Sequence, residues 1–126
     1  MKMHLWLTIG VGGFIGAILR YAMSGWIQNG ITTFPLGTLG VNFIGSFFVS
    51  LVLYLSEYRG LFSEEIRIFL TIGVLGSFTT MSTFSFESFK LLEQGEIGAL
   101  SLNVLGTLIL TFLAVYLGKI IVVNLG

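Results

Sequence analysis

"GVLGSFTTMSTFSFE" (Gly73 to Glu87) lies inside a long apolar run and is unlike the rest of it. It holds Gly73 and Gly76, then six hydroxyl residues at Ser77, Thr79, Thr80, Ser82, Thr83 and Ser85. Phe78, Met81, Phe84 and Phe86 are laid between the hydroxyls, and Glu87 closes the stretch. Hydroxyl and β-branched residues weaken a helix by crowding its turns and offering the backbone other hydrogen bonds. The stretch predicts a helix that breaks near its middle. What such a break means depends on whether water or lipid surrounds it.

Composition points to lipid. The chain has 126 residues, of which 10% are charged, and its mean hydropathy is +0.98. A soluble domain carries about 25% charged residues. One domain of this size has too few charges to cover a wet surface. In hydrocarbon, irregular backbone is tolerated only where it is buried in protein or lines a wet cavity. The break therefore marks a place where the chain does something. Six basic and six acidic residues cancel, so no basic patch exists for nucleic acid. The absence of cysteine excludes disulfides, thiolate chemistry and cysteine-based metal sites. His4, the single histidine, reads as an interfacial residue rather than a metal ligand. The first apolar segment is long and lacks a small-residue cleavage site, so it reads as a retained span and not a signal peptide.

A hydrocarbon core about 30 Å thick needs roughly 20 helical residues to cross it. Runs free of Asp, Glu, Lys and Arg cover 3–19, 21–56, 68–86 and 97–118. The second run is too long for one helix. "QNGITTFPLG" (Gln28 to Gly37) contains the single proline and two glycines and reads as a turn. The expected architecture is all-α: an integral membrane protein forming a single four-helix domain over 1–126. Its helices fall at about 4–27, 36–56, 66–92 and 97–123, with the third broken. Lys and Arg near the span ends number four on the N-terminal side (Lys2, Arg59, Arg67, Lys119) and two on the other (Arg20, Lys90). The bias is weak, and insertion in one orientation or in both stands open on charge alone.

Polar residues inside the spans carry the chemistry. Asn103, Thr107 and Thr111 stand four apart and form one stripe on the fourth helix. The stripe is either a polar track or interhelical glue with threonines bonded back to their own carbonyls. Asn42, in "TLGVNFIGSFF" (Thr38 to Phe48), must find hydrogen-bond partners in lipid. It either bonds a neighbouring helix or offers its amide to an anion, and alone it reads better as structural. Arg20, in "GGFIGAILRY" (Gly12 to Tyr21), either snorkels to the interface, draws anions to a vestibule or holds a structural contact. Gly12-x-x-x-Gly16 and Gly13-x-x-x-Ala17 favour close helix packing nearby. Glu87 lies near the exit of its span and reads as interfacial or structural. No other acid lies within a span, which argues against a proton-driven cation exporter. No nucleophile–base pair or metal cluster is visible, so the chain does not read as an enzyme.

Hydroxyls donate hydrogen bonds without fixed charge, and a phenylalanine has a positive ring edge. Such groups stabilise a small anion without trapping it, as conduction requires. A break also frees carbonyls that can hold a monovalent cation. Composition and spacing reach a small oligomeric channel or transporter with a polar path, and stop there.

Three segments together resemble the Fluc family of fluoride channels, also called CrcB proteins: "GGFIGAILRY", "PLGTLGVNFIGSF" (Pro35 to Phe47) and "GVLGSFTTMSTFSFE". The resemblance covers nearly the whole chain. It implies passive fluoride export through an antiparallel, dual-topology homodimer with two pores, in the lipid bilayer of a prokaryotic plasma (inner) membrane. It implies that Asn42 faces the pore and that Phe84 is one of a pair of pore-lining rings. The other ring falls at Met81, where a thioether replaces the family's usual phenylalanine and lacks the ring edge. Ser82 and Thr83 match the hydroxyls beside the aromatic pair, and Thr107 and Thr111 match a fourth-helix polar track. The family's structural sodium at the dimer centre is implied at the backbone carbonyls of Gly76 and Thr79. The alternatives are a small dual-topology multidrug or cation transporter, and a non-conducting assembly subunit.

Overall fold

The computed structural model describes residues 2–125 and is helical throughout. Four helices are long and apolar enough to cross a membrane: Met3–Gln28, Leu36–Arg59, Glu64–Glu93 and Ile97–Val123. They are called the first to fourth spans below.

Each end has a local cause. Gly60 stops the second span in a left-handed conformation (φ 65°) that suits a residue without Cβ. Its N–H bonds Ser56 O at 3.1 Å while the Leu61 N–H reaches Leu55 O at 3.3 Å, so carbonyls of the last turns keep partners. The third span starts earlier than the apolar run suggests, because Ser63 caps it. The Ser63 hydroxyl accepts from the Ile66 N–H at 3.2 Å, and Glu64 and Glu65 oppose the helix dipole in the first turn. Gln28 holds the loop between the first two spans. Its amide donates to the carbonyls of Ile31 and Phe34, both at 2.8 Å, and accepts from the Gly37 N–H at 2.7 Å.

The third span is broken, as the hydroxyl-rich stretch predicts. It runs as an α-helix over Glu64–Ile68, a π-helix over Phe69–Leu75 and one turn over Gly76–Phe78. Thr79 and Thr80 are extended (φ −87°, ψ 159° and φ −152°, ψ 120°), and an α-helix resumes over Met81–Glu93. The π segment has no counterpart in the sequence pattern. Such segments are rare and gather at functional places.

The second span is the central element: 44% of its most apolar stretch is buried, against 11–17% for the other three. It packs most extensively on the fourth span. Ala114, Val122 and Gly118 are buried there, and a Cβ on Gly118 would stand 2.6 Å from Ser50 Oγ. The Ser50 hydroxyl donates to Val115 O at 2.6 Å across the same contact. The first span lies against the π segment, backbone to backbone. A Cβ on Gly12 would meet Gly73 Cα and Phe69 O, each at 2.9 Å. Small residues let helices approach this closely in lipid, where apolar burial gives little drive to associate. Most large apolar side chains, such as Phe14, Ile109 and Phe112, point outward, the arrangement of a protein whose solvent is hydrocarbon.

Candidate functional site

The break, the second span and the fourth span enclose a cleft of about 460 Å³. The second span contributes Asn42, Gly45, Ser46 and Val49; the break and the helix after it contribute Thr79, Thr80, Met81 and Phe84. The fourth span contributes Val104, Thr107, Leu108, Thr111 and Val115. The wall is mostly apolar with a few polar groups, the usual make-up of a site that takes a small ligand.

The break is tied down at both edges. Asn42 Oδ1 accepts from the Thr80 N–H at 2.8 Å, and Asn42 Nδ2 donates to Thr80 O at 3.1 Å. The Thr80 hydroxyl then caps the following helix, accepting from the Thr83 N–H at 3.2 Å. On the other edge, Arg20 Nε donates to Ser77 O at 3.0 Å. Three backbone groups that the break would orphan in lipid, the Ser77 carbonyl and the Thr80 N–H and carbonyl, are thus paired by side chains.

Five of the seven residues that the resemblance assigns to the pore line this cleft: Asn42, Met81, Phe84, Thr107 and Thr111. Met81 is 72% exposed, Phe84 is half-buried, and buried Asn42 keeps one amide N–H beyond its two bonds to Thr80. Ser82 and Thr83 are not part of the wall. Ser82 is exposed within 3.2 Å of the Thr80 hydroxyl, and Thr83 accepts a hydrogen bond from that hydroxyl at 3.2 Å. They help start the second half of the span.

The fourth-span stripe divides in two. Asn103 is buried and donates to Ser88 Oγ at 2.9 Å, joining the third and fourth spans outside the cleft. The Thr111 hydroxyl bonds back to Thr107 O at 2.7 Å. The Thr107 hydroxyl is buried and has no partner among the described residues. A buried hydroxyl without a partner is uncommon and calls for an explanation.

Glu87 faces a second cavity of about 470 Å³ at the exit of the third span, with Gln28, Thr32, Thr33, Lys90 and Glu96 on its wall. One Glu87 carboxylate oxygen is buried and unpartnered. Gly76 is exposed on the outer face of the break, and Thr79 presents its methyl to Gly45. Side-chain chemistry for a metal is missing among the described residues, where no group of three His, Asp or Glu comes together. A cation here would depend on carbonyl oxygens.

A four-span helical bundle with one broken span, opened onto a polar-dotted cleft at mid-depth, defines a small multi-pass membrane protein of the channel or transporter class. The chain belongs to the CrcB family: the family described as CrcB-like protein, Camphor Resistance (CrcB), matches residues 7–119. It is 62% identical over 124 residues to the fluoride-specific ion channel FluC 1 of Methanosarcina acetivorans, covering 98% of this chain and 95% of that one. The fluoride-specific ion channel FluC 3 of Methanosarcina barkeri is 54% identical over 124 residues, covering 98% and 94%. A fluoride-specific ion channel FluC of Thermus thermophilus is 43% identical over 119 residues, covering 94% and 93%.

Proposed function

We propose that the chain is a fluoride-selective ion channel that lets fluoride leave the cell down its electrochemical gradient. The observation that carries this reading is the Thr107 hydroxyl, buried beside the cleft without a partner. A neutral donor fits a small, strongly hydrated anion that must be held and then released. Thr111, Phe84 and Met81 complete the path, with Asn42 at its inner wall. Nothing in this assignment requires catalysis, and full-length relatives at up to 62% identity are named as fluoride-specific ion channels.

The working unit is an antiparallel homodimer in the plasma membrane. The cleft is open on one side, and Met81, Ile72 and Gly76 are exposed on the third span, so a second copy would close what one chain leaves open. The break fits a sodium ion. The Thr80 N–H turns to Asn42 and no longer serves the Gly76 carbonyl four residues before it, while the extended Thr79 presents its own carbonyl. Two carbonyls per chain, Gly76 and Thr79, would hold the ion together with those of a second copy. The ion would supply fixed positive charge at the dimer centre and lock the two breaks together.

The test is efflux from liposomes holding only this protein, with fluoride and chloride followed separately. Fluoride efflux without matching chloride efflux, and without a proton gradient, is expected. Proton-coupled cation flux would instead favour a small multidrug transporter, with the buried Glu87 oxygen as its proton site.

A further inference from the structure

The break is shaped from outside its own span. Asn42 and Gly45 stand about one turn apart on the second span and are both buried. Asn42 exchanges two hydrogen bonds with the backbone of Thr80, at 2.8 and 3.1 Å. This is the two-point pairing that a neighbouring β-strand gives an extended residue. Gly45 receives the side chain of Thr79, because a Cβ there would collide with Thr79 Cγ2. Thr80 in turn caps the helix that carries Met81 and Phe84.

We infer that Asn42 and Gly45 form a seat for the Thr79–Thr80 backbone, and that Asn42 acts on conduction by positioning that backbone. The amide oxygen and one amide hydrogen are committed to Thr80. Their loss leaves a backbone N–H and C=O unpaired away from water, so the break must shift to recover partners. A shift there moves Phe84 relative to Thr107 and Thr111, which stand on a different helix. Gly45 has no side chain, so its part is to let Thr79 approach, with the Phe78 ring edge next, 3.2 Å from where a Cβ would stand.

This inference rests on the fluoride-channel reading, and its test separates the two. Gly45→Ala removes no polar group and adds one methyl against Thr79. Fluoride efflux per folded dimer is expected to fall by about tenfold or more, since small displacements at an organised site carry large rate effects. Gly45→Ala combined with Thr79→Ser, which deletes the opposing Cγ2 methyl, is expected to recover most of the flux. Amide hydrogen exchange gives a readout independent of flux: the peptide across 76–86 should exchange faster in Gly45→Ala and in Asn42→Ala, and return toward the unmodified rate in the double variant. If Gly45→Ala does not fold, recovery of folding by Thr79→Ser supports the seat, and no recovery overturns it. Unchanged flux and exchange in Gly45→Ala, or a double variant no better than the single one, also overturns it. Absence of fluoride flux in the unmodified protein sinks the channel reading instead, while the exchange pattern still reports on the seat.

Discussion

Arg20 Nε donates to the carbonyl of Ser77 at 3.0 Å, tying the first span to the last turn before the break. Ser77 O lies where the helix ends, so its own turn supplies no partner. The guanidinium thus serves as a C-terminal cap delivered from another span, and its cost in lipid is offset by that bond. Arg20→Ala is expected to lower stability by about 2 kcal/mol, the range for a hydrogen bond from a charged donor. Arg20→Lys, with a point charge in place of the planar fork, should recover part of it. Thermal unfolding of the purified variants in detergent checks the order.

Close packing of the first span on the third depends on which glycine is changed. A Cβ at Gly16 would collide with the Val74 carbonyl and the Ser77 hydroxyl, whereas a Cβ at Gly13 meets nothing within 4 Å. Backbone cannot move aside as a flexible side chain does. Gly16→Ala should therefore cost about 3 kcal/mol or more and largely abolish folded protein. Gly13→Ala should be neutral. Size-exclusion profiles of the two variants, expressed side by side, make the comparison.

Thr107 separates a role in conduction from a role in folding. Its hydroxyl is buried and unpartnered, so removing it takes away a desolvated group, not a bond. Leaving such a group unpaired costs about 1–3 kcal/mol, so Thr107→Val should be neutral or stabilising. The same change removes a donor from the ion path and should cut fluoride efflux by roughly tenfold, the worth of about one hydrogen bond. Thr107→Ser should conduct. A Thr107→Val protein that conducts at the unmodified rate would remove this residue from the path.

Much of this was legible in the sequence because lipid leaves few options. Four apolar runs and a proline turn at Pro35 yield four spans, and the hydroxyls from Ser77 to Ser85 mark the break. The polar stripe was legible only as a stripe. Asn103 and Thr107 share a helix face, yet one meets Ser88 and the other the cleft. Partner identity is a tertiary fact that spacing does not contain. The same holds for Asn42, whose partner Thr80 lies 38 residues away, and for Arg20 on Ser77. The π-helix was not legible at all. "FLTIGVL" (Phe69 to Leu75) has no proline or hydroxyl cluster, and its winding is tied to the backbone contact of Gly73 with Gly12.

The proposed sodium site at the break offers a prediction about assembly. If Gly76 and Thr79 carbonyls from two copies hold the ion, its removal leaves carbonyls facing one another without a counter-charge. Exchange of sodium for a large organic cation throughout purification should lower the Tm of the dimer and its fluoride efflux together. Lithium and potassium should fall between, since carbonyl cages discriminate by size and field strength. Equal stability in all four salts would mean the carbonyls find other partners.

The weak charge bias bears on which way the two copies lie. By sequence four cationic residues lie toward one side and two toward the other, of which Arg20 is engaged at the break, and orientation follows such counts near span ends. A surplus this small leaves insertion both ways open, and that would supply the opposite copies an antiparallel dimer needs. Lysines added to the exposed loop around Leu61 should enforce one orientation, and lysines at Asn29 the other. Either variant alone should lose fluoride efflux from vesicles, and the two expressed together should regain it. Site-specific labelling from one side of the membrane reports the orientation of each. A single, fully oriented population that still conducts at the unmodified rate would exclude the antiparallel dimer and require a parallel one, in which the two breaks still meet but the clefts open to the same side.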